Sequence, residues 1–319
     1  MDYTEKYRKY LKTFSLLTRD AFELNIYLSN IFNNNIEELS NENFVFLSVF
    51  SKIALHANSI LTILPKDDPR KLYGTEDFRV VDLSSIASLT RDIIDADNTL
   101  FYLFTERIDD AEREFRLLLF GLHGYIRQKE LINFVGGLHQ EVMVANIVEK
   151  IDAFRNRLES NSFFKILEKE MLENSSRGRR AKDIFKRTEG RIENVKDAVF
   201  LTRKQITEVR GMDLSSFDAI YMFLSGHVHS FLMGTSLVGS AIALDEKSLL
   251  LLLLIIRNAS FYLCLAMIDT TILFPKTQEK LSSDSREVLQ RGVSRGWGSI
   301  IVWGTVDLEQ SEQRKKDRR

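Results

Sequence analysis

Prolines are scarce in this chain, and their positions constrain its fold more than any other feature. They stand at Pro65, Pro69 and Pro275, so the long interval between the second and the third contains none. Proline lacks a backbone N–H and breaks helix interiors, so such an interval favours helices joined by short turns. We predict an all-α protein, a bundle of about eight to ten helices without significant sheet.

Hydrophobic residues recur at helical spacing in separate segments along the chain. These segments cover residues 7–32, 44–64, 83–105, 111–134, 139–172, 179–210, 215–233 and 248–274. Asp82 and Asp213 each precede a Leu-Ser-Ser sequence and offer a carboxylate to cap the following helix. We expect an N-terminal helical pair at 1–64, a main bundle at 82–275 packed with it as one globular unit, and a partly flexible extension at 276–319.

Charge and cysteine content restrict the possible partners and location. Lys and Arg (44) nearly cancel Asp and Glu (45), so no overall field exists to hold a polyanion. The single cysteine, Cys264, cannot form an internal disulfide, and the charged amino terminus lacks a hydrophobic signal sequence. We therefore expect a cytoplasmic protein. We expect no cofactor or metal, because one cysteine and few histidines make a poor ligand set.

Two apolar stretches, 219–244 and 248–274, have the length of membrane-spanning helices. The first contains Ser225, His227 and His229, and the second has Arg257 and Asn258 near its middle. Polar and charged groups at these depths are unfavourable in lipid. We interpret both stretches as core helices and expect no membrane insertion.

Polar side chains within apolar helices are the candidates for a functional centre, because an unpaired buried polar group costs about 1 to 3 kcal/mol. Arg91 and Asp95 stand four residues apart on one helix face, which Tyr102 continues. The alternative for this pair is an ordinary ion pair at a helix surface. Ser225 and His229 share a face in the same way. We expect Arg91, Asp95, Tyr102 and Ser225 to contribute to a common polar or binding centre.

Arg116 and His123 are separated by six residues, a spacing that resembles the motif of HEPN ribonucleases. The resemblance implies metal-independent cleavage of RNA, with His123 handling the proton of the attacking ribose hydroxyl and Arg116 stabilising the phosphate. His229 would lie nearby. The alternative is that His123 belongs to the helical core. Leu117 stands where that family commonly has asparagine.

Three blocks, in order, resemble a family of bacterial helical proteins known only as a domain of unknown function. The blocks are SLTRDIIDADNTLFYL (88–103), EREFRLLLFGLHGYIRQKELI (112–132) and YMFLSGHVHSFLMG (221–234). The family signatures map to Arg91 and Asp95, to Phe115, Arg116, His123 and Gly124, and to Leu224, Ser225, Val228 and His229. Asp95 departs from the family, in which glutamate is usual. The resemblance implies a shared polar centre, and the settings of some relatives suggest phage defence.

A basic stretch at 177–210 is the remaining candidate for a binding surface. In a helix, Arg180, Arg187 and Arg191 would fall near one face and contact phosphates, whereas the alternative is a solvated helix. No motif for sequence-specific DNA binding is present. Two functions stay open: an interaction or sensing protein that forms a homodimer or binds a protein partner, and a HEPN-like ribonuclease acting on RNA.

Overall fold

The computed structural model describes residues 3–34, 41–66, 81–137, 140–166, 203–228 and 246–294. Within these ranges every regular element is a helix and none is a strand, so the prediction of an all-α fold is confirmed. The α-helices are α1 (Tyr3–Asn34), α2 (Asn41–Ile63), α3 (Leu83–Leu100), α4 (Asp110–Val135), α5 (Gln140–Ser160), α6 (Ser162–Ile166), α7 (Arg203–Val209), α8 (Leu214–Val228), α9 (Glu246–Leu273) and α10 (Ser283–Ser294). A π-helical turn covers Phe101–Thr105, and a 3-10 helix covers Pro275–Lys280.

Two helices, α3 and α8, begin directly after the capping aspartates predicted from the sequence. The Asp82 carboxylate accepts the backbone N–H of Ser85 at 2.9 Å before α3, and Asp213 accepts that of Ser216 at 2.8 Å before α8. These bonds satisfy backbone donors that the first helical turn leaves without partners. The π-helical turn follows α3 directly, which explains why the periodicity over 83–105 is continuous.

The chain divides into two compact units. Unit 1 comprises Met1–Phe101 with Thr207–Arg319, and unit 2 comprises Tyr102–Ile206. In sequence, unit 2 is therefore inserted between the two parts of unit 1. The division falls within the π-helical turn, inside the 82–275 interval that the sequence analysis treated as one bundle. Because α2 packs against α3, the N-terminal pair at 1–64 belongs to unit 1.

Unit 1 is built around α9, which packs against α1 and α3, while α2 and α8 also contact α3. Side chains on several sides of α9, including Ile255, Ile256 and Leu265, are at most 2% exposed, as expected for a helix that is apolar all round. The 3-10 helix and α10 pack on α1 and α9. The backbone N–H of Ser282 donates to Asp20 of α1 at 2.8 Å. Residues 276–294 of the expected extension are thus part of unit 1, and the rest lies outside the described residues.

Two helices of the described ranges are long and apolar enough to cross a membrane. They are Glu42–Ile63 and Ser248–Leu273, with mean hydropathies of 1.5 and 2.1. Most of the second, 61%, is buried inside the protein, as in the core helix of a soluble fold. The absence of membrane insertion stays a prediction.

Unit 2 contains an antiparallel hairpin of α4 and α5, with α6 packed on both helices. Its core consists of Phe115, Leu118, Leu119 and Leu122 from α4, Ile147, Ile151 and Leu158 from α5, and Phe163 and Phe164 from α6. At Gly121 the two helices approach closely, since a Cβ atom there would lie 2.3 Å from Cε1 of Phe154. The backbone leaves α4 through Gly136 and Gly137, whose φ angles of 66° and 125° favour glycine.

Candidate functional site

Arg91 and Asp95 meet a third residue, Tyr221 of α8, which the sequence analysis did not single out. Arg91 Nε donates to the Tyr221 hydroxyl at 3.0 Å, and that hydroxyl donates to Asp95 Oδ1 at 3.0 Å. The Arg91 guanidinium also lies 5.3 Å from the centroid of the Tyr221 ring. The direct distance from Arg91 Nε to Asp95 Oδ2 is 3.9 Å. The pair therefore forms a bridge between α3 and α8 and is not an isolated ion pair on one helix surface.

A second polar contact joins the same two helices. Ser84 Oγ lies 3.1 Å from His227 Nδ1, and the buried His227 ring packs edge-on against Phe223. Burial lowers the pKa of His227, although Asp82 acts in the opposite direction. Ser225 does not join the Arg91 bridge, because its buried hydroxyl has no hydrogen-bond partner in the part of the chain that the structure describes. His229 lies outside the described residues.

Among the ion pairs described in unit 1, the most deeply buried involve Arg210, which follows α7. Its guanidinium donates through Nη1 to Asp97 of α3 and through Nη2 to Oδ2 of Asp269 of α9 at 2.8 Å. The same group lies 4.3 Å from the centroid of the Phe101 ring. Arg210, Asp97 and Asp269, here called the Arg210 centre, thus connect three segments that are distant in sequence.

The charges of the Arg210 centre do not balance when both carboxylates are ionised, because two carboxylates share one guanidinium. Asp97 is completely buried. Burial raises the pKa of Asp97 to about 7, against the lowering effect of Arg210, and the neighbouring Asp269 raises it further. Burial thus favours the protonated form of Asp97 more than in an exposed aspartate.

One sequence signal could have identified Asp97. Ile86, Thr90, Ile93 and Asp97 recur at helical spacing, and all four are buried on α3. An ionised carboxylate on the buried face of a helix requires a cation inside the protein. Sequence reasoning placed Arg210 at the end of the basic stretch and so missed it as the partner.

Unit 2 contains the buried Arg116, whose side chain is 1% exposed. Its Nε donates to Glu112 Oε1 at 3.0 Å, its Nη1 donates to the carbonyl of Tyr102 at 2.9 Å, and it forms an ion pair with Glu106. The guanidinium lies 4.0 Å from the centroid of the Tyr102 ring. Arg113 donates to the carbonyl of Glu106 at 3.0 Å. Both arginines thus bind carbonyls at or just after the π-helical turn, where a helix end leaves acceptors without partners.

The catalytic role of Arg116 stays a prediction. The partners described for Arg116 precede it in sequence, whereas His123 lies seven residues later, about 10 Å further along the axis of α4. His123 itself is half-buried. A phosphate that bound the Arg116 guanidinium would compete with its ion pairs to Glu106 and Glu112. Tyr102 packs on Arg116 in unit 2, and its contribution to a common polar centre with Arg91 stays a prediction.

Polar groups elsewhere give no further candidate centre in the described ranges. No group of three or more His, Cys, Asp or Glu side chains is arranged there to hold a metal ion. Burial raises the pKa of the Cys264 thiol to about 12, so this cysteine is not a thiolate nucleophile at neutral pH. Arg180, Arg187 and Arg191 lie outside the described residues.

The far end of the α4–α5 hairpin exposes apolar side chains. We define the hairpin end as residues 125–137 and 140–146. No residue of these two ranges is buried. Five large apolar side chains there are exposed: Leu131 (60%), Phe134 (90%), Val135 (70%), Val142 (61%) and Met143 (48%). Large apolar side chains at the hairpin end are therefore exposed to solvent on both helices.

The candidate residues are thus distributed over an α3–α8 bridge, the Arg210 centre, the surroundings of Arg116, and the hairpin end. In the first three, the described charged groups contact one another. Of these four places, the hairpin end has the most exposed side chains among the described residues. Comparison of the chain with protein-family models, curated proteins and solved structures found no match.

Proposed function

We propose that this protein is a helical interaction protein that binds a protein partner through the hairpin end. The observation that carries the proposal is the group of five exposed apolar side chains on α4 and α5. Their exposed fractions range from 48% to 90%. Soluble proteins expose single apolar side chains commonly, but groups of them usually mark a surface that another molecule covers.

The polar centres support this proposal through what they do inside the protein. Arg116 and Arg210 each contact two carboxylates, so an external anion would have to break buried ion pairs. Removing one partner of such a pair costs about 3 to 5 kcal/mol. We infer that these centres hold the helices in position and that the Arg91 bridge does the same for α3 and α8. A role in phage defence rests on the sequence resemblance alone.

Affinity capture with a matched pair of variants tests the proposal. Phe134→Ser removes the most exposed apolar side chain of the hairpin end, while Met222→Ser removes one that is 72% exposed on α8. We expect Phe134→Ser to reduce recovery of the bound protein by at least tenfold and Met222→Ser to leave it unchanged. Equal recovery by both variants, with unchanged melting temperatures, would contradict the proposal.

The ribonuclease alternative has its own test. Total RNA is incubated with the wild-type protein and with His123→Ala, and fragment lengths are compared. Cleavage by the wild type alone would favour the HEPN resemblance. Equal cleavage by both proteins, or by neither, would exclude a catalytic His123.

A further inference from the structure

We propose that the Arg210 centre is a proton-operated latch inside unit 1. A proton on Asp97 keeps the end of α3, the end of α7 and α9 packed around the centre. Release of that proton admits water and loosens this packing while the rest of unit 1 stays folded. The latch is independent of the hairpin end. Three properties of the centre support it: the coordination of Asp97, the second carboxylate beside it, and the segments that Arg210 holds together.

The carboxylate of Asp97 lacks the hydrogen bonds that an ionised group needs inside a protein. Its side chain has no exposed surface, and the hydrogen bond that it accepts runs from Nη1 of Arg210 to Oδ2. The other oxygen, Oδ1, is buried and has no hydrogen-bond partner in the described part of the chain. A buried carboxylate is stable in its charged form only when hydrogen bonds also satisfy its remaining lone pairs. The coordination of Asp97 therefore favours a protonated carboxyl group.

A second carboxylate strengthens this preference. Arg210 donates through Nη1 to Asp97 and through Nη2 to Asp269, so a single guanidinium keeps the two carboxyl groups close together. Like charges that share a site oppose each other's ionisation. The same direction appears in the pKa of Asp97, which burial raises and Asp269 raises further. The folded protein therefore retains a proton on Asp97 at pH values where an exposed aspartate is ionised.

The ionisable groups described around α3 meet different residues of this helix. α9 and the end of α7 bring Asp269, Tyr262 and Arg210 toward Asp97. Groups from α2 and α8 contact other residues of α3: His56 meets Asp92, Tyr221 meets Asp95, and His227 meets Ser84. Burial raises the pKa of Tyr262, so its hydroxyl stays neutral up to pH 8. The described charges that act on Asp97 are thus those of Arg210 and Asp269.

The contacts of Arg210 show which segments an ionised Asp97 would loosen. The guanidinium lies 4.3 Å from the centroid of the Phe101 ring, at the end of α3. Two residues after Arg210, the backbone N–H of Met212 donates to the carbonyl of Thr207 at 3.0 Å. An ionised Asp97 can gain its missing hydrogen bonds from water, and water reaches it only when the packing around it opens locally. Phe101 and the turn after α7 are therefore the segments expected to move.

Hydrogen exchange of the full chain, resolved by residue with NMR, tests the latch. The reporters are the amides of Phe101, bonded to carbonyls of α3, and of Met212. The amide of Ile86, bonded near the other end of α3, is the internal control. Because the closed state holds a proton that the hydrated state releases, opening becomes more favourable as pH rises toward 7. Between pH 5.5 and pH 7.5 the corrected protection factors of the reporters should fall by about tenfold or more, and that of Ile86 should not.

Two substitutions on α3 form a matched pair. Asp97→Asn keeps the size of the side chain but cannot ionise, so protection of Phe101 and Met212 should no longer depend on pH. Asp92→Asn removes a carboxylate that is 47% exposed on the same helix and should leave the wild-type pH dependence intact. Adding about 1 M urea should change exchange of the reporters little, because a local opening exposes little surface.

The carboxyl carbon of Asp97, followed by NMR in the wild type, gives an answer that needs no variant. Titration near pH 7 supports the latch, whereas titration below pH 5 overturns it, because Asp97 would then be ionised over the whole range. Equal pH dependence of exchange in the wild type and Asp97→Asn also overturns it. So does exchange of Phe101 and Met212 that accelerates strongly with urea, since the proton would then control global unfolding and not a local opening.

Discussion

Among the described residues, Arg116 and Arg210 are both buried and paired with carboxylates, but their partners lie at very different distances in sequence. Arg116 takes its partners from residues 4, 10 and 14 positions earlier. Arg210 takes its partners from residues 113 and 59 positions away. The first set is brought together by the helix and turn that carry it, whereas the second exists only once α3, α9 and the end of α7 are assembled. The ion pairs of Arg116 therefore depend on local helix formation, whereas those of Arg210 depend on the tertiary packing of unit 1.

The carboxylates around the two arginines also differ in their access to water. The side chains of Glu106 and Glu112 are 11% and 10% exposed, while that of Asp97 is completely buried. If Arg116 is removed, its carboxylates can turn toward solvent. If Arg210 is removed, Asp97 has only a proton to neutralise it. The following changes use this difference, from the largest expected effect to the smallest.

Replacing Arg210 with methionine should cause the largest loss of stability. The substitution keeps an apolar stem but leaves Asp97 and Asp269 without their cation, which costs about 3 to 5 kcal/mol of unfolding free energy. Urea denaturation at pH 8, followed by circular dichroism, measures the loss. It should shrink at pH 5.5, where Asp97 is protonated. Arg210→Lys, which keeps the charge, is the control, and a loss below about 1 kcal/mol in Arg210→Met would contradict the assignment.

Replacing Arg116 with methionine should cost somewhat less, about 2 to 4 kcal/mol, because Glu106 and Glu112 can regain water. Hydrogen exchange locates the damage. Faster exchange should concentrate in α4 and α5 for Arg116→Met, and in α3 and α9 for Arg210→Met. The same exchange pattern in both variants would refute the contrast between a local and a distant centre.

Asp97→Asn should change how stability depends on pH. The pKa of Asp97 is raised by folding from 3.8 to about 7, so the folded state binds the extra proton. Its contribution is fully present below about pH 4 and is lost as pH rises toward 7, by at most about 1.4 kcal/mol per unit. Because asparagine lacks this loss, the variant should gain about 1 to 3 kcal/mol relative to wild type between pH 5 and pH 7. Asp92→Asn on the exposed side of α3 should show no such gain, and parallel wild-type and Asp97→Asn profiles would contradict the prediction.

Two glycines of α4 provide the smallest and most closely matched test. A methyl group at Gly121 would meet the Phe154 ring, whereas one at Gly124 meets no atom within 4 Å. Gly121→Ala should therefore destabilise unit 2 by about 1 to 3 kcal/mol through overpacking. Gly124→Ala should stabilise it by up to about 1 kcal/mol through helix propensity. Thermal melts of both variants decide the matter, and equal shifts would mean that α4 and α5 do not pack as described.

The fold was largely predictable from the sequence, because it depends on local signals. Scarce prolines, apolar periodicity and the Asp82 cap define α3, and the continuous pattern from 83 to 105 includes the π-helical turn. The pairing of Arg91 with Asp95 also followed from spacing. Their partner Tyr221 did not, since it lies 126 residues from Asp95 and no local pattern connects them.

Helical spacing showed which face Arg116 occupies but not where its guanidinium points. Long side chains on a helix lean toward its amino end, and Arg116 therefore reaches Tyr102 and Glu106. His123 lies in the opposite direction along α4. The exposure of the hairpin end could not be predicted from the sequence either, because Leu131, Phe134 and Val135 have the spacing of a core face whether or not anything covers them.

The distance between Asp97 and Arg210 also sets an order of events during translation. Arg210 leaves the ribosome 113 residues after Asp97, on the order of ten seconds later at ordinary elongation rates. Arg116 is made only four residues after Glu112, so its partners are already present. The nascent chain can therefore form the ion pairs of Arg116 before Arg210 has been synthesised. Until then Asp97 has no Arg210 to pair with and stays hydrated.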